Sequence, residues 1–402
     1  MMQNTLRAGV AALALMALSA GSARAALRPE VGKPLQAAIA AMGHGNYAAA
    51  KNSLHSAMAA KNRTAEEDFD ILQVSAGIAR ATKDYTTASH DYQELLASGR
   101  LGADETAKVL MAEAAMAYEQ QNYPAVVNWA EKYQHAGGYS AEMHNLEIQA
   151  YYLQHDYASA AKLQWNSVSA ELRAGRAPAE NELEMLSSCY ENLHNANAFQ
   201  GTMKLLVEYY PKPDYWLNLV HAVVTKPTFA DRMQLDIDRV KLHLGLMTNA
   251  DDYFETILLA LQEPLPGEAK TVLDQAYAKG IFGTGPQAAR QQRLRDKITS
   301  TAAEVQKSLA ADETAAAGEH SGDHLFALGE IEATNGNAAK GIEMMETAIR
   351  MDQLTRPEDS KLHLGIAYLR AGQTAKAKQM LNSVRGADGT QDIAQLWVLS
   401  IK

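Results

Sequence analysis

A tyrosine recurs behind a two-residue polar turn at Tyr47, Tyr85, Tyr123 and Tyr157, at intervals of 38, 38 and 34 residues. A fixed period of this length marks a chain of repeated supersecondary units, none of which can bury its apolar face alone. The stretches read Gly45-Asn46-Tyr47-Ala48-Ala49-Ala50, Lys83-Asp84-Tyr85-Thr86-Thr87-Ala88, Gln121-Asn122-Tyr123-Pro124-Ala125-Val126 and His155-Asp156-Tyr157-Ala158-Ser159-Ala160. Each stands between two amphipathic runs. The polar pair suits the turn between two helices, and the tyrosine packs over that turn. The small residue three positions on lets the second helix approach the first. The pattern predicts helical hairpins in tandem.

Composition points the same way. The chain is 47% hydrophobic with only 11 Pro and many Ala, the best helix former because it loses no side-chain entropy. No alternating β-branched run bounded by turn signals stands out, so an all-α chain is expected. A tandem array of 402 residues needs no single large core, because each hairpin buries its stripe against its neighbours.

The segment from Leu146 to Ala161 (LEIQAYYLQHDYASAA) resembles the core of a tetratricopeptide repeat. The carboxyl end resembles it too: Leu325 to Ala348 and Lys361 to Val384 align with Gly329 and Gly365 in register, and likewise Gly336 and Gly372. The resemblance implies an α-solenoid of tandem helical hairpins and specifies no chemistry. Residues 1–25 read as a signal peptide, 26–211 as an amino-terminal array of five hairpins, and 212–285 as divergent helical repeats. Residues 286–322 read as an exposed helix and linker, and 323–402 as a repeat pair closed by a capping helix over the open end. The fifth hairpin has lost the tyrosine of its turn at Leu193 to Asn197. Pro213 and Asp214 mark a new helix, with Asp214 as its cap and Trp216 and Leu219 in its buried stripe. Turns are expected at Asp251-Asp252-Tyr253 and at Pro266 to Ala269. The stretch PKPDYW and the divergent region behind it are similar to exported bacterial repeat proteins associated with the TonB energy-transduction system, which implies a compartment and a partner class but no active-site residue.

The first residues carry a basic start at Arg7, an apolar centre from Ala8 to Leu18, and small residues at Ala23 and Ala25. This order is that of a secretory signal peptide, with cleavage between Ala25 and Ala26 and a periplasmic product. Eleven apolar residues are too few for a membrane span, which needs about 20, and no later run is long enough.

Cleavage removes two of the 37 basic residues and none of the 47 acidic ones, and so large an acidic excess argues against nucleic acid as a partner. Arg290, Arg293, Arg295 and Lys297 spread round a helix as a solvated surface. Cys189 is the one cysteine, so no internal disulfide forms, and its apolar setting reads as a packed thiol rather than the partner of His194 in catalysis. His320 and His324 stand four apart, but Gly322 between them and a loop context argue for a solvated linker rather than a metal site. Gly283-Thr284-Gly285-Pro286 lacks the third glycine and the lysine of a phosphate loop. No catalytic residue, metal or cofactor is assigned.

What remains is the groove. In tetratricopeptide arrays the first helix of each pair lines the concave side, and Tyr118, Tyr152 and Tyr190 are expected at equivalent places there. Asn145 and Gln149, four apart, face the same way. Two readings stand side by side: the tyrosines form a ladder for an extended peptide or glycan, or they pack between neighbouring helices. Glu119 and Glu191 beside them disfavour an acidic peptide. The expected function is a non-catalytic periplasmic scaffold or adaptor for a protein or peptide. The alternatives are an accessory component of an envelope energy-transduction or assembly machine, and a helical-repeat glycan-acting enzyme. The sequence fixes no oligomeric state.

Overall fold

The computed structural model describes residues 27–319 and 321–401. The expected signal peptide, with Ala25 and Ala26, lies outside them. Among the described residues are 20 α-helices and no strand, and the chain is all-α, a tetratricopeptide-like α-solenoid of tandem hairpins. It divides into two compact units, one ending at His194 and the other beginning at Asn195.

The first unit holds α1 (Pro29–Gly43), α2 (Tyr47–Met58), α3 (Ala65–Ala81), α4 (Tyr85–Ala97), α5 (Ala103–Glu119), α6 (Tyr123–His135), α7 (Ala141–Leu153), α8 (Tyr157–Arg173) and α9 (Glu180–Asn192). One turn closes its hairpins, and the polar pair makes it in two steps. Gly45, Lys83, Gln121 and His155 take left-handed φ values of 71°, 58°, 59° and 62°, which ends the first helix. The following Asn46, Asp84, Asn122 and Asp156 then cap the second, accepting the N–H of Ala49, Thr87, Ala125 and Ser159 at 3.1, 3.3, 3.3 and 3.1 Å. No residue is left over for a loop. The small positions behind the tyrosines, Ala50, Ala88, Val126 and Ala160, are all fully buried, as the close approach requires. His194 repeats the left-handed step with φ 52°, and Asn195 caps α10 through the N–H of Ala198 at 3.2 Å. The fifth turn therefore keeps its geometry without its tyrosine.

The second unit holds α10 (Ala196–Tyr209), α11 (Pro213–Val224), α12 (Gln234–His243), α13 (Ala250–Gln262), α14 (Pro266–Ala278), α15 (Ala288–Glu319), α16 (Gly322–Thr334), α17 (Ala338–Arg350), α18 (Pro357–Arg370), α19 (Thr374–Leu381) and α20 (Thr390–Ser400). Two expected turns are in fact helix starts. Asp251-Asp252-Tyr253 lies in the first turn of α13 behind the cap Asn249, and Tyr253 is wholly buried; Pro266 begins α14, where its missing N–H costs nothing. Asp214 does not cap α11 but sits inside it after Pro213, while Trp216 and Leu219 are buried as the stripe predicts. α15 runs to Glu319 and α16 begins at Gly322, so most of the expected exposed-helix-and-linker segment is helix.

In the terminal pair α16/α17 and α18/α19, glycine stands where α3 and α5 carry Ala76 and Ala114. A Cβ placed on Gly365 would come within 2.7 Å of Leu381 Cγ, and one on Gly329 within 2.8 Å of the Gly341 carbonyl oxygen. The helices approach too closely for a side chain. The final helix corrects an expectation: α20 does not cover an open end but packs against α10, α11, α12, α18 and α19. Ile393, Ala394, Leu396 and Trp397 are all buried, which is a broad apolar face belonging to an interior helix rather than a one-sided lid.

Candidate partner-binding face

Helical periodicity puts residues spaced three, four and three apart on one face of a first helix. Counted back from the left-handed turn residue, that stripe is Lys108, Met111, Ala115 and Tyr118 on α5. On α7 it is Glu142, Asn145, Gln149 and Tyr152, and on α9 it is Asn181, Glu184, Ser188 and Glu191. Two hydrogen bonds run across it. The Tyr118 hydroxyl donates to Gln149 Oε1 at 3.0 Å, and the Tyr152 hydroxyl pairs with Ser188 Oγ at 2.7 Å. Gln149 and Ser188 occupy the same register position, so this is one device used twice, tying α5 to α7 and α7 to α9.

Each ring is also braced from its own turn. Tyr118 meets Tyr123 edge-on with centroids 5.7 Å apart, and Tyr152 meets Tyr157 at 5.2 Å. Both tyrosines are half-buried, and burial raises the Tyr118 pKa. Asn145 is exposed, and Leu153 beside Tyr152 is 41% exposed. The face thus offers two oriented rings, an exposed amide and an exposed leucine.

The third expected rung is displaced. Tyr190 stands four residues before His194, whereas Tyr118 and Tyr152 stand three before Gln121 and His155. The residue in register is Glu191, and Tyr190 matches Tyr151. A one-residue change in repeat length caused the misalignment, and only the position of the left-handed residue reveals it. Gln149 does face the same way as Asn145, but its carbonyl oxygen is already held by Tyr118.

The other sequence candidates fall away from chemistry. Cys189 is fully buried, and burial pushes its thiol up to about 11, far from a reactive thiolate. His324 is the third residue of α16, while His320 lies outside the described residues; no metal-binding group of His, Cys, Asp and Glu occurs among the described residues. No helix among them is long and apolar enough to cross a membrane.

Sequence reasoning missed the densest charge cluster, which lies in the second unit. Arg239 forks onto Glu268 with Nε 3.0 Å from Oε1 and reaches Asp236 through Nη1 at 2.7 Å, while Arg370 Nη2 adds 2.6 Å to Glu268 Oε1. His363 bridges Asp236 Oδ1 at 3.1 Å and Glu330 Oε1 at 2.8 Å. Burial opposes its charge, but the two carboxylates outweigh burial and hold its pKa well above the ordinary value. Burial would likewise raise Glu268; the guanidinium groups of Arg239 and Arg370 instead hold it far below the usual carboxylate range. Three carboxylates thus face three cations, and Arg239, Glu330, His363 and Arg370 of the cluster line a cavity of about 40 Å³, room for a few waters. No signal in the sequence marks them, because they come from four helices spread over more than a hundred residues.

No protein-family model and no curated protein matches the chain. Among solved structures it is similar to the Naa15/Naa10 complex bound to HypK-THB, at 14% identity over 92% of this chain and 68% of that one, with a TM-score of 0.34. It is similar also to the P58(IPK) TPR domain, at 10% identity over 92% and 98% with a TM-score of 0.24, and to yeast Tom70, at 11% over 92% and 95% with a TM-score of 0.21. At these values the likeness carries no argument, and the fold rests on the chain's own geometry.

Proposed function

We propose that the chain is a non-catalytic scaffold that holds a protein or peptide partner on the first-helix face of its first unit, and that it works in the periplasm after loss of residues 1–25. The observation that carries this is the Tyr118–Tyr152 device. Its hydroxyls are tethered and its rings braced, so the rings are ordered before any partner arrives, and the ordering entropy is met within the fold. Exposed Asn145 and Leu153 stand beside them. Against catalysis, Asp236 and Glu268 in the second unit are held ionised and paired, which leaves neither as an acid for substrate chemistry.

Replacing Tyr118 and Tyr152 together by Ser tests the face. Partner capture should fall while helical circular dichroism is kept; a folded variant that captures as well as the parent removes both residues from the site. Amino-terminal sequencing of the protein recovered from the producing cell tests the compartment, with Ala26 expected first and Met1 on a cytoplasmic product contradicting export.

A further inference from the structure

The stripe on α7 and α9 carries charge of one sign only. Glu142, Glu184 and Glu191 lie on it with no lysine or arginine, and the one cation of the three-helix stripe is Lys108 on α5. Glu142 and Glu191 are exposed, and their side-chain carboxylates make no hydrogen bond or ion pair among the described residues. Glu119, next to Tyr118, accepts the Tyr85 hydroxyl. The same face carries the two ordered rings, Tyr118 on α5 and Tyr152 on α7, and the exposed Leu153. Adjacent first helices lie about 8–10 Å apart, so an extended chain at roughly 3.3 Å per residue advances about three residues per helix. A partner segment crossing at the level of the rings therefore meets Tyr118 on α5, Tyr152 and Leu153 on α7 and Glu191 on α9, and Glu142, ten residues back along α7, is about 15 Å or five extended residues further on.

We infer that the occupant of this face is an extended, lysine- or arginine-rich protein segment with apolar residues interspersed, its cations over Glu142 and Glu191 and its apolar side chains against Tyr118, Tyr152 and Leu153. The inference rests on the binding reading above and names its partner class. Complementary charge chooses the partner and speeds encounter, while the rings supply the apolar contact. An acidic segment is repelled by the same carboxylates, and so is nucleic acid.

The test uses the full chain and three fluorescein-labelled peptides, each four repeats of Lys-Leu-Ser, Gln-Leu-Ser or Glu-Leu-Ser, read by anisotropy at physiological salt. The lysine peptide should bind at least about tenfold more tightly than the glutamine peptide, and the glutamate peptide should not bind. Because any acidic protein attracts a cation, two variants of equal net charge are compared. Glu142→Lys with Glu191→Lys should cost at least about tenfold, and Glu94→Lys with Glu131→Lys, exposed on second helices α4 and α6, about twofold or less. Equal losses from both pairs would overturn the inference, as would equal binding of lysine and glutamine peptides. The readings separate through Tyr118→Ser with Tyr152→Ser. If those changes abolish binding of a peptide that the charge reversals leave bound, the face stands and the cationic partner falls. If they leave every peptide bound as before, or if no peptide binds the parent, both fall.

Discussion

Ten residues before its left-handed turn residue, α7 of the first unit carries exposed Asn145 and α18 of the second carries Leu362, which is wholly buried. Four residues further on, half-buried Gln149 corresponds to Ile366, which is 3% exposed. The second unit has covered this stripe with its own chain. Arg232, just ahead of α12, reaches Asp359 on α18 at 3.0 Å, Asp236 meets His363, and Glu268 on α14 meets Arg370. A repeat surface is therefore not a binding site by virtue of the repeat. It becomes one where the chain leaves the stripe uncovered, and in the first unit the tyrosine device keeps it ordered while open.

The largest effect expected concerns the cover. Arg239→Leu leaves Asp236 and Glu268 buried with much of their counter-charge gone, which should destabilise the second unit by about 3–5 kcal/mol. Denaturant unfolding would show it, and an unchanged midpoint would mean that α12 and α14 are not held onto the α16–α18 face by charge. The first unit should lose little, because none of its carboxylates depends on that arginine.

The first unit has its own buried acid with no such fork. Glu113 on α5 is 3% exposed, with both oxygens accepting from Ser89 Oγ at 3.0 and 2.9 Å, and burial pushes its carboxyl from 4.5 up to about 7. A folded-state pKa raised in this way favours the fold fully below about pH 4.5, and the advantage is lost as pH rises through about 7. The loss is on the order of 3 kcal/mol if no relaxation softens it. Between pH 5 and 8 the first unit should weaken, and Glu113→Gln should flatten that slope; a parent whose first unit melts alike at both pH values contradicts the burial argument.

A smaller effect sharpens the packing side of the comparison. Gly365→Leu forces a side chain into the space of Leu381 and should cost about 1–3 kcal/mol. Thermal melting identical to the parent's would show that the terminal pair has room to part.

The repeat period, the turn chemistry and the terminal glycines were legible in the sequence because each is local: an Asn or Asp cap acts within four residues, and a glycine at a close approach recurs in register. The cover was not legible. Glu268 meets Arg370 and Asp236 meets His363 across more than a hundred residues, so nothing at either end marks the pairing. The degenerate middle read as eroded repeats because its apolar periods no longer follow those of a free-standing hairpin; α12 and α14 answer to the face they cover. The stripe of the first unit was nearly legible, and Tyr190 was misplaced because counting from tyrosine to tyrosine carries no information about where the helix ends.

The most direct test of the account places a benzoylphenylalanine photo-crosslinker at Asn145, on the open stripe of α7, and compares it with the same group at Glu131 on α6 and at Ala327, exposed on α16. After irradiation in the producing cell, the account predicts a discrete protein adduct from position 145 and none of comparable yield from 131 or 327. Adducts of equal yield at all three positions, or adducts from 131 or 327 with none from 145, would contradict it.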